Sequence, residues 1–358
     1  MKRLTITCLL LSIAIGPSTF AQGPAGDDGR VVRVMTRNVY HGVDAEIFAV
    51  PAATSFTDLL VKVAAVYQGY HTRNFPERAA ALAAEIDAER PDLIGLQEAI
   101  LVRTQSPADG QTTPATVIDL DYVQLLLDAL TARGLRYDLV VQSINFDIEL
   151  PSALGFDVRH TVRDVILARS NADLSGLRLS NAQAGNFSTN CEMPTNFSPP
   201  IPIRRGWVAV DGKKQGKSFR FISTHLDGDC LPFTSAIQQA QAAEVLAGPG
   251  STQLPLIVAG DFNSPADGTG ITYNALIAAR FTDTWSVAGT GPGLSCCQAD
   301  DLLNPTSQLD ERIDLVLVRG RFKIRRAVIL GDDPAERTAS GLWPSDHAGF
   351  VVTLVIPD

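Results

Sequence analysis

Much is missing from this sequence, and each absence removes a class of protein. Only five of 358 residues are histidine and five are cysteine, and aromatic residues make up 7%. No HExxH, GxSxG or GxxxxGK[ST] pattern occurs, so a zinc metalloprotease, an α/β-hydrolase and a P-loop enzyme all lose their usual support. No CxxC spacing suggests a zinc site. After the N-terminal segment, no apolar run reaches the ~20 residues that span a bilayer. Basic residues are outnumbered, with 30 Lys+Arg against 39 Asp+Glu and a net charge of −9. Such a surface repels polyanions at long range and argues against nonspecific nucleic-acid binding through a broad basic face. There is no internal repeat and no long low-complexity segment.

What is present begins with an export signal. Lys2 and Arg3 precede the apolar run LTITCLLLSIAIG, and STFAQ offers a small-residue cleavage site after Ala21. We read residues 1–21 as a signal peptide, 22–30 as a flexible leader and 31–358 as one domain, and expect a secreted or periplasmic protein. Removing two positive charges and no acids takes the mature chain to 28 Lys+Arg against 39 Asp+Glu, or −11. Export permits disulfides. Four cysteines remain, and they allow three pairings. Cys191–Cys230 is the favoured pair. Cys296 and Cys297 stay undecided, because neighbouring Cα atoms about 3.8 Å apart lie below the usual disulfide range.

The domain alternates two patterns. Short β-rich runs lie at 31–39, 92–99, 137–143, 164–169, 206–211, 218–226, 254–262, 312–318 and 349–356. Helical patterns lie at 76–90, 119–134 and 234–248, the first with Pro76 in its first turn and the last two ending at glycine. Some strands adjoin directly and others are separated by helices, which predicts mixed sheets covered by helices. Segments 100–117 and 171–205 read as long loops.

Several strands end abruptly in polar side chains. RVMTRN ends at Asn38, DLIGLQE at Glu98, FRFISTH at His225 and LIVAGDFN at Asp261 and Asn263, while Asp346 and His347 stand just before a strand. Residues two apart in a strand share a face. Five such ends, each carrying Asn, Asp, Glu or His, predict one shared rim. Its oxygen donors suit a hard cation such as Mg²⁺ or Mn²⁺.

In order, the motifs TRNV, LQE, STHL, GDFNS, RIDLVLV and SDHAGF resemble the endonuclease/exonuclease/phosphatase (DNase-I-like) superfamily, over about residues 31–356. The resemblance implies a four-layer α/β sandwich of two packed mixed sheets flanked by helices. It also implies Mg²⁺-dependent (or Mn²⁺-dependent) cleavage of a phosphoester by in-line attack of water. On this basis Glu98, Asn38 and Asp346 are the expected metal ligands. Asp261 orients or deprotonates the water, and Asn263 holds a phosphoryl oxygen. His347, held by Asp314, and His225 stand beside the phosphate. Asp164 is expected to partner His225, and Arg163 to contact phosphate. Arg37, Tyr40 and His41 receive no role, while His71 and His160 read as loop residues.

Substrate is the open choice. A nuclease is the preferred reading. A sphingomyelinase-like or an inositol- or sugar-phosphate phosphatase is the alternative, and an inactive binding homologue is an alternative of another class. No protein partner or transmembrane segment is implied, and we expect a monomer. The insertion GLSCCQADDLLNP (293–305) lies outside the superfamily pattern.

Overall fold

The computed structural model describes residues 28–170, 176–196, 199–228, 230 and 232–358. The expected signal peptide, and the leader up to residue 27, lie outside the described residues. The chain enters through a 3-10 turn (Asp28–Arg30) and β1 (Val31–Asn38), followed by α1 (Asp44–Ala49), α2 (Phe56–Thr72) and α3 (Phe75–Glu89). Then come β2 (Leu93–Gln97), β3 (Leu101–Gln105), β4 (Val117–Asp121), α4 (Tyr122–Ala132), and the long pair β5 (Tyr137–Pro151) and β6 (Asp157–Arg169). β7 (Arg178–Asn186), β8 (Cys191–Met193), β9 (Ile201–Ile203), β10 (Gly206–Lys214) and β11 (Lys217–His225) lead to α5 (Thr234–Ala247). β12 (Leu256–Asp261), α6 (Ile271–Ala278), β13 (Thr282–Asp283), α7 (Thr284–Ala288), β14 (Asp314–Arg319), β15 (Lys323–Leu330) and β16 (Gly349–Val355) complete the order.

Local chemistry explains the helix boundaries. Ser55 caps α2 by accepting from the Asp58 N–H, and Asp121 caps α4 by accepting from Val123 and Gln124. Pro76 sits in the first turn of α3, where its missing N–H costs nothing.

Two mixed sheets carry most of the strands, and β8 and β9 pair with each other as a separate two-stranded sheet. One runs β15-β16-β1-β2-β6-β3-β4, with β5 also on β6; the other runs β13-β14-β12-β11-β10-β7. Alternation along the strands divides the core into three. Val32, Val34, Phe350 and Val352 of the first sheet meet Phe219, Phe221, Ile257 and Val316 of the second. Met35, Ile94 and Val165 face the other way, onto α2, α3 and α4. Ile222, Val258 and Leu315 pack on α5 and α6. The result is the expected four-layer order of helix, sheet, sheet, helix.

The two predicted long loops are partly strand. β3 takes the start of 100–117 and β4 begins at its last residue, and β7, β8 and β9 lie within 171–205. β7 has an exposed residue at most alternate positions, so it lacks the apolar periodicity that marks a strand. β8 and β9 are only three residues each. Cys191 is paired with Cys230, Cα to Cα 5.5 Å. Cys296 and Cys297 are paired with each other; the peptide between them is cis, and their Cα atoms are 3.0 Å apart rather than at the trans spacing we assumed.

Candidate active site

The hydrogen-bond ladder itself assembles the polar cluster. β11 and β12 are parallel with His225 opposite Asp261, and β14 runs antiparallel with Asp314 opposite Asp261. One row across three strands therefore carries His225, Asp261 and Asp314. In the other sheet β1 and β2 are parallel with Asn38 opposite Gln97, so Asn38 and Glu98 leave their strands side by side. Glu98 and Asn263 both have φ in the left-handed region, 58° and 47°. Asn tolerates that conformation; Glu seldom adopts it, and such backbone strain gathers at functional positions.

Asn38 joins the two sheets. Its Nδ2 donates to Glu98 Oε1 and to Asp261 Oδ2, each at 3.1 Å. Its Oδ1, the atom expected to face a cation, accepts from the Tyr40 N–H at 2.9 Å. Glu98 Oε2 accepts from the His41 N–H at 2.9 Å. The His41 ring lies 2.7 Å from Asp44 and 3.8 Å from Glu98. Burial pushes the His41 imidazolium down, but Asp44 and Glu98 outweigh it and raise its pKa to about 9. Burial pushes Glu98 upward, and His41, with smaller help from His225 and Arg205, brings it net below the ordinary value.

His347 Nδ1 and Asp314 Oδ2 are 2.7 Å apart, and His347 Nε2 stands 3.7 Å from Asp261 Oδ2. Burial opposes the imidazolium, yet Asp314, Asp346 and Asp261 together hold its pKa well above normal. Arg312, two residues from Asp314, pairs with Asp283, at 2.8 Å. Asp261 Oδ1 accepts from the Asn263 N–H at 2.9 Å. Burial, then repulsion from Asp314, raises Asp261 to about 7. Burial, with repulsion from Glu98, does the same to Asp346, despite the opposing pull of His347.

His225 is different. Its Nδ1 is 3.1 Å from Arg205 Nη1, and its Nε2 is 3.2 Å from Asn263 Nδ2 and 3.5 Å from Asp261. Burial and the Arg205 charge both depress its pKa well below 6.5. A guanidinium only donates, so Nδ1 accepts and the ring proton of neutral His225 sits on Nε2.

Two expectations fail. Asp164 does not partner His225; its Oδ2 accepts from Asn145 Nδ2 at 2.7 Å. Arg163 is no phosphate contact. It is buried and clamps the Ala99 and Ile100 carbonyls and Asp121. Both lie on β6, the inner strand of the first sheet, where polar side chains serve packing. His160 is also on β6, not in a loop: it is buried against the Tyr70 hydroxyl at 2.7 Å. Sequence reading missed His41, Asp44 and Arg205. His41 follows Asn38 by three residues, which was the available signal; Arg205 resembles any surface arginine.

Two buried arginines frame the cluster. Arg37 Nη2 is 2.9 Å from Glu85 Oε1, and its Nη1 donates to the His347 carbonyl. Arg78 donates to the carbonyls of Val39, Tyr40, Arg73 and Pro344.

The donor set fits a hard divalent cation. Asp261 and Asp346 are buried acids held near 7, Glu98 helps burial keep Asp346 there, and Asp314 Oδ1 is buried without a hydrogen-bond partner among the described residues. Positive charge is what such a group of carboxyls requires to ionise fully.

Residues 38–347 match the Endonuclease/Exonuclease/phosphatase family. A comparison with curated protein sequences found no match. Among solved structures, the chain resembles a protein of this family from Bacteroides thetaiotaomicron (18% identity, TM-score 0.56, covering 92% of this chain and 98% of that one). It also resembles the mannosyl-6-phosphatase Bt3783 of that organism (17%, 0.55, 91% and 100%) and the catalytic domain of human nocturnin with bound sulfate (17%, 0.53, 92% and 94%). Those identities speak to fold; the match over 310 residues speaks to ancestry, and this chain belongs to the endonuclease/exonuclease/phosphatase family.

Proposed function

We propose that the protein is an exported, divalent-metal-dependent phosphoesterase that cleaves its substrate by in-line attack of water. The observation that carries this reading is the convergence of Glu98, Asp261, Asp314, Asp346, His225 and His347 at strand ends from both sheets. Glu98 and Asp346 would hold Mg²⁺ or Mn²⁺, with Asp261 close by. A bound cation would polarise the phosphoryl oxygen and neutralise its charge. Asp261 accepts the proton of the attacking water at Oδ2. The His347 imidazolium, oriented by Asp314, faces the negative charge that builds on the phosphoryl group. Neutral His225 keeps its proton and can only donate a hydrogen bond from Nε2 to the leaving oxygen, whose proton comes from the His347 imidazolium, and the Asn263 amide holds a phosphoryl oxygen. Rigid strands set these groups in place before the substrate arrives.

The test is hydrolysis of bis-p-nitrophenyl phosphate, p-nitrophenyl phosphate, plasmid DNA, RNA and mannose 6-phosphate with Mg²⁺ or Mn²⁺, then with EDTA. Nucleic acid belongs in the panel as the substrate preferred from sequence, and the sugar phosphate because one fold relative is a mannosyl-6-phosphatase. Metal-dependent turnover that drops at least ~10²-fold in His347→Ala supports the proposal. Turnover that survives both EDTA and Glu98→Ala overturns it. Mass spectrometry of the protein from its native host tests export: the expected N-terminus is Gln22.

A further inference from the structure

Beside the catalytic cluster lies a cavity of about 120 Å³. Its walls come from four parts of the fold, represented by Ile47 of α1, Val63 of α2, Ile148 and Val162 of the β5–β6 pair, and Met193 and Ile201 of the β8–β9 hairpin. The polar side chains of the lining are His41, His160, Arg204 and Arg205. His160 is satisfied by Tyr70. His41 and Arg205 belong to the catalytic cluster as well, through Glu98 and His225 respectively. The cavity therefore adjoins the place where phosphate chemistry would occur, and His41 and Arg205 stand between the two. An apolar space of this kind repels water and hydroxyl-rich groups, and favours hydrocarbon.

We propose that this cavity takes an apolar substituent of the substrate, so that the enzyme acts on phosphoesters carrying hydrocarbon close to the phosphate. This inference rests on the phosphoesterase reading. Size sets the occupant. An apolar cavity of about 150 Å³ accepts a benzene ring, so this smaller one suits a chain of about four to five carbons. The phosphate stays where Asn263 and His347 face it, and the chain runs past Arg205 and His41 into the cavity, between α2 and β5. In the reaction, water oxygen bonds to phosphorus as the bond to the leaving oxygen breaks. The proton lost by water is matched by one gained on that oxygen, and the hydrocarbon is untouched.

The experiment is calorimetric titration of the full mature chain, in Mg²⁺, with methyl, butyl and hexyl phosphate. The expected result is a dissociation constant that falls about threefold to fourfold per methylene up to about four to five carbons, the gain from burying each CH₂. Ile148→Trp, which fills the cavity, and Ile201→Asn, which polarises its outer wall, should each flatten the series. Methyl phosphate affinity and turnover of methyl p-nitrophenyl phosphate should stay unchanged in both. A flat series in the wild type overturns the inference. So does a slope that survives in both folded variants, because the chain then binds elsewhere. A steep, variant-sensitive slope in a protein that hydrolyses no phosphoester upholds the cavity and overturns the phosphoesterase reading instead.

Discussion

Glu85 makes a sharp test of how burial and ion pairing compete in this fold. Its carboxyl lies 2.9 Å from the Arg37 guanidinium, yet Oε2 has no hydrogen-bond partner among the described residues. Burial is the larger effect, Arg37 the opposing one, and the carboxyl titrates near 7 instead of 4.5. Between those values the folded protein keeps a proton that the unfolded chain has released. Stability from this group is thus complete below pH 4.5 and is lost as pH rises through 7. A pKa rise from 4.5 to about 7, at ~1.4 kcal/mol per pH unit, amounts to on the order of 3 kcal/mol. Glu85→Gln keeps an oxygen for Arg37 and cannot ionise. We expect the variant and the wild type to unfold within ~1 kcal/mol of each other near pH 4.5, and the variant to be about 3 kcal/mol more stable at pH 8. Urea denaturation followed by tryptophan fluorescence at the two pH values measures both. Should Glu85→Gln instead cost ~3–5 kcal/mol at pH 8, the usual penalty for stripping one partner from a buried pair, the attraction of Arg37 exceeds the burial term and the reasoning fails.

Three further outcomes are expected. Gly95→Ala places a Cβ 2.3 Å from Ser223 Oγ across the sheet interface, and should cost about 1–3 kcal/mol by thermal unfolding, with recovery in the Ser223→Gly background. Removing the Cys191–Cys230 bond by a double serine substitution frees a loop of 39 residues and should cost up to about 4 kcal/mol in urea; no change would show that the bond does not form. Mg²⁺ at about 100 times its dissociation constant should add ~2.7 kcal/mol of stability, read as a rise in melting temperature that EDTA reverses and Asp346→Asn abolishes.

The rim of polar strand ends was readable because strand periodicity is strict. An apolar run that stops at Asp261 or Glu98 announces a side chain anchored at an edge, and both lie where that reasoning placed them. The layer order was readable for the same cause, since Val32, Val34 and Met35 alternate between two cores. What was hidden depends on distance along the chain. Arg205 reaches His225 from 20 residues away, whereas Asp44 stands only three residues from His41, at the start of α1, where no strand pattern marks it. Asp164 looked like a catalytic partner because an acid near a strand end fits the pattern; the neighbour that claimed it, Asn145, comes from a strand whose register local pattern does not fix. β7 stayed hidden because its exposed residues carry no apolar rhythm.

Arg78 gives the outer helical layer a part in the chemistry. It projects from α3 and holds the carbonyls of Val39 and Tyr40 on one side and of Pro344 on the other, segments more than three hundred residues apart in sequence. Those segments carry Asn38 and the Asp346–His347 pair. One guanidinium therefore acts as a rivet between the first and last strands of the domain, and the two halves of the cluster keep a common frame only while α3 stays seated. Inheritable damage to catalysis need not strike the rim at all: a substitution on the far face of α3 that tilts the helix would misalign Asn38 and His347 together, and would resemble a catalytic lesion in every assay except a measurement of unfolding.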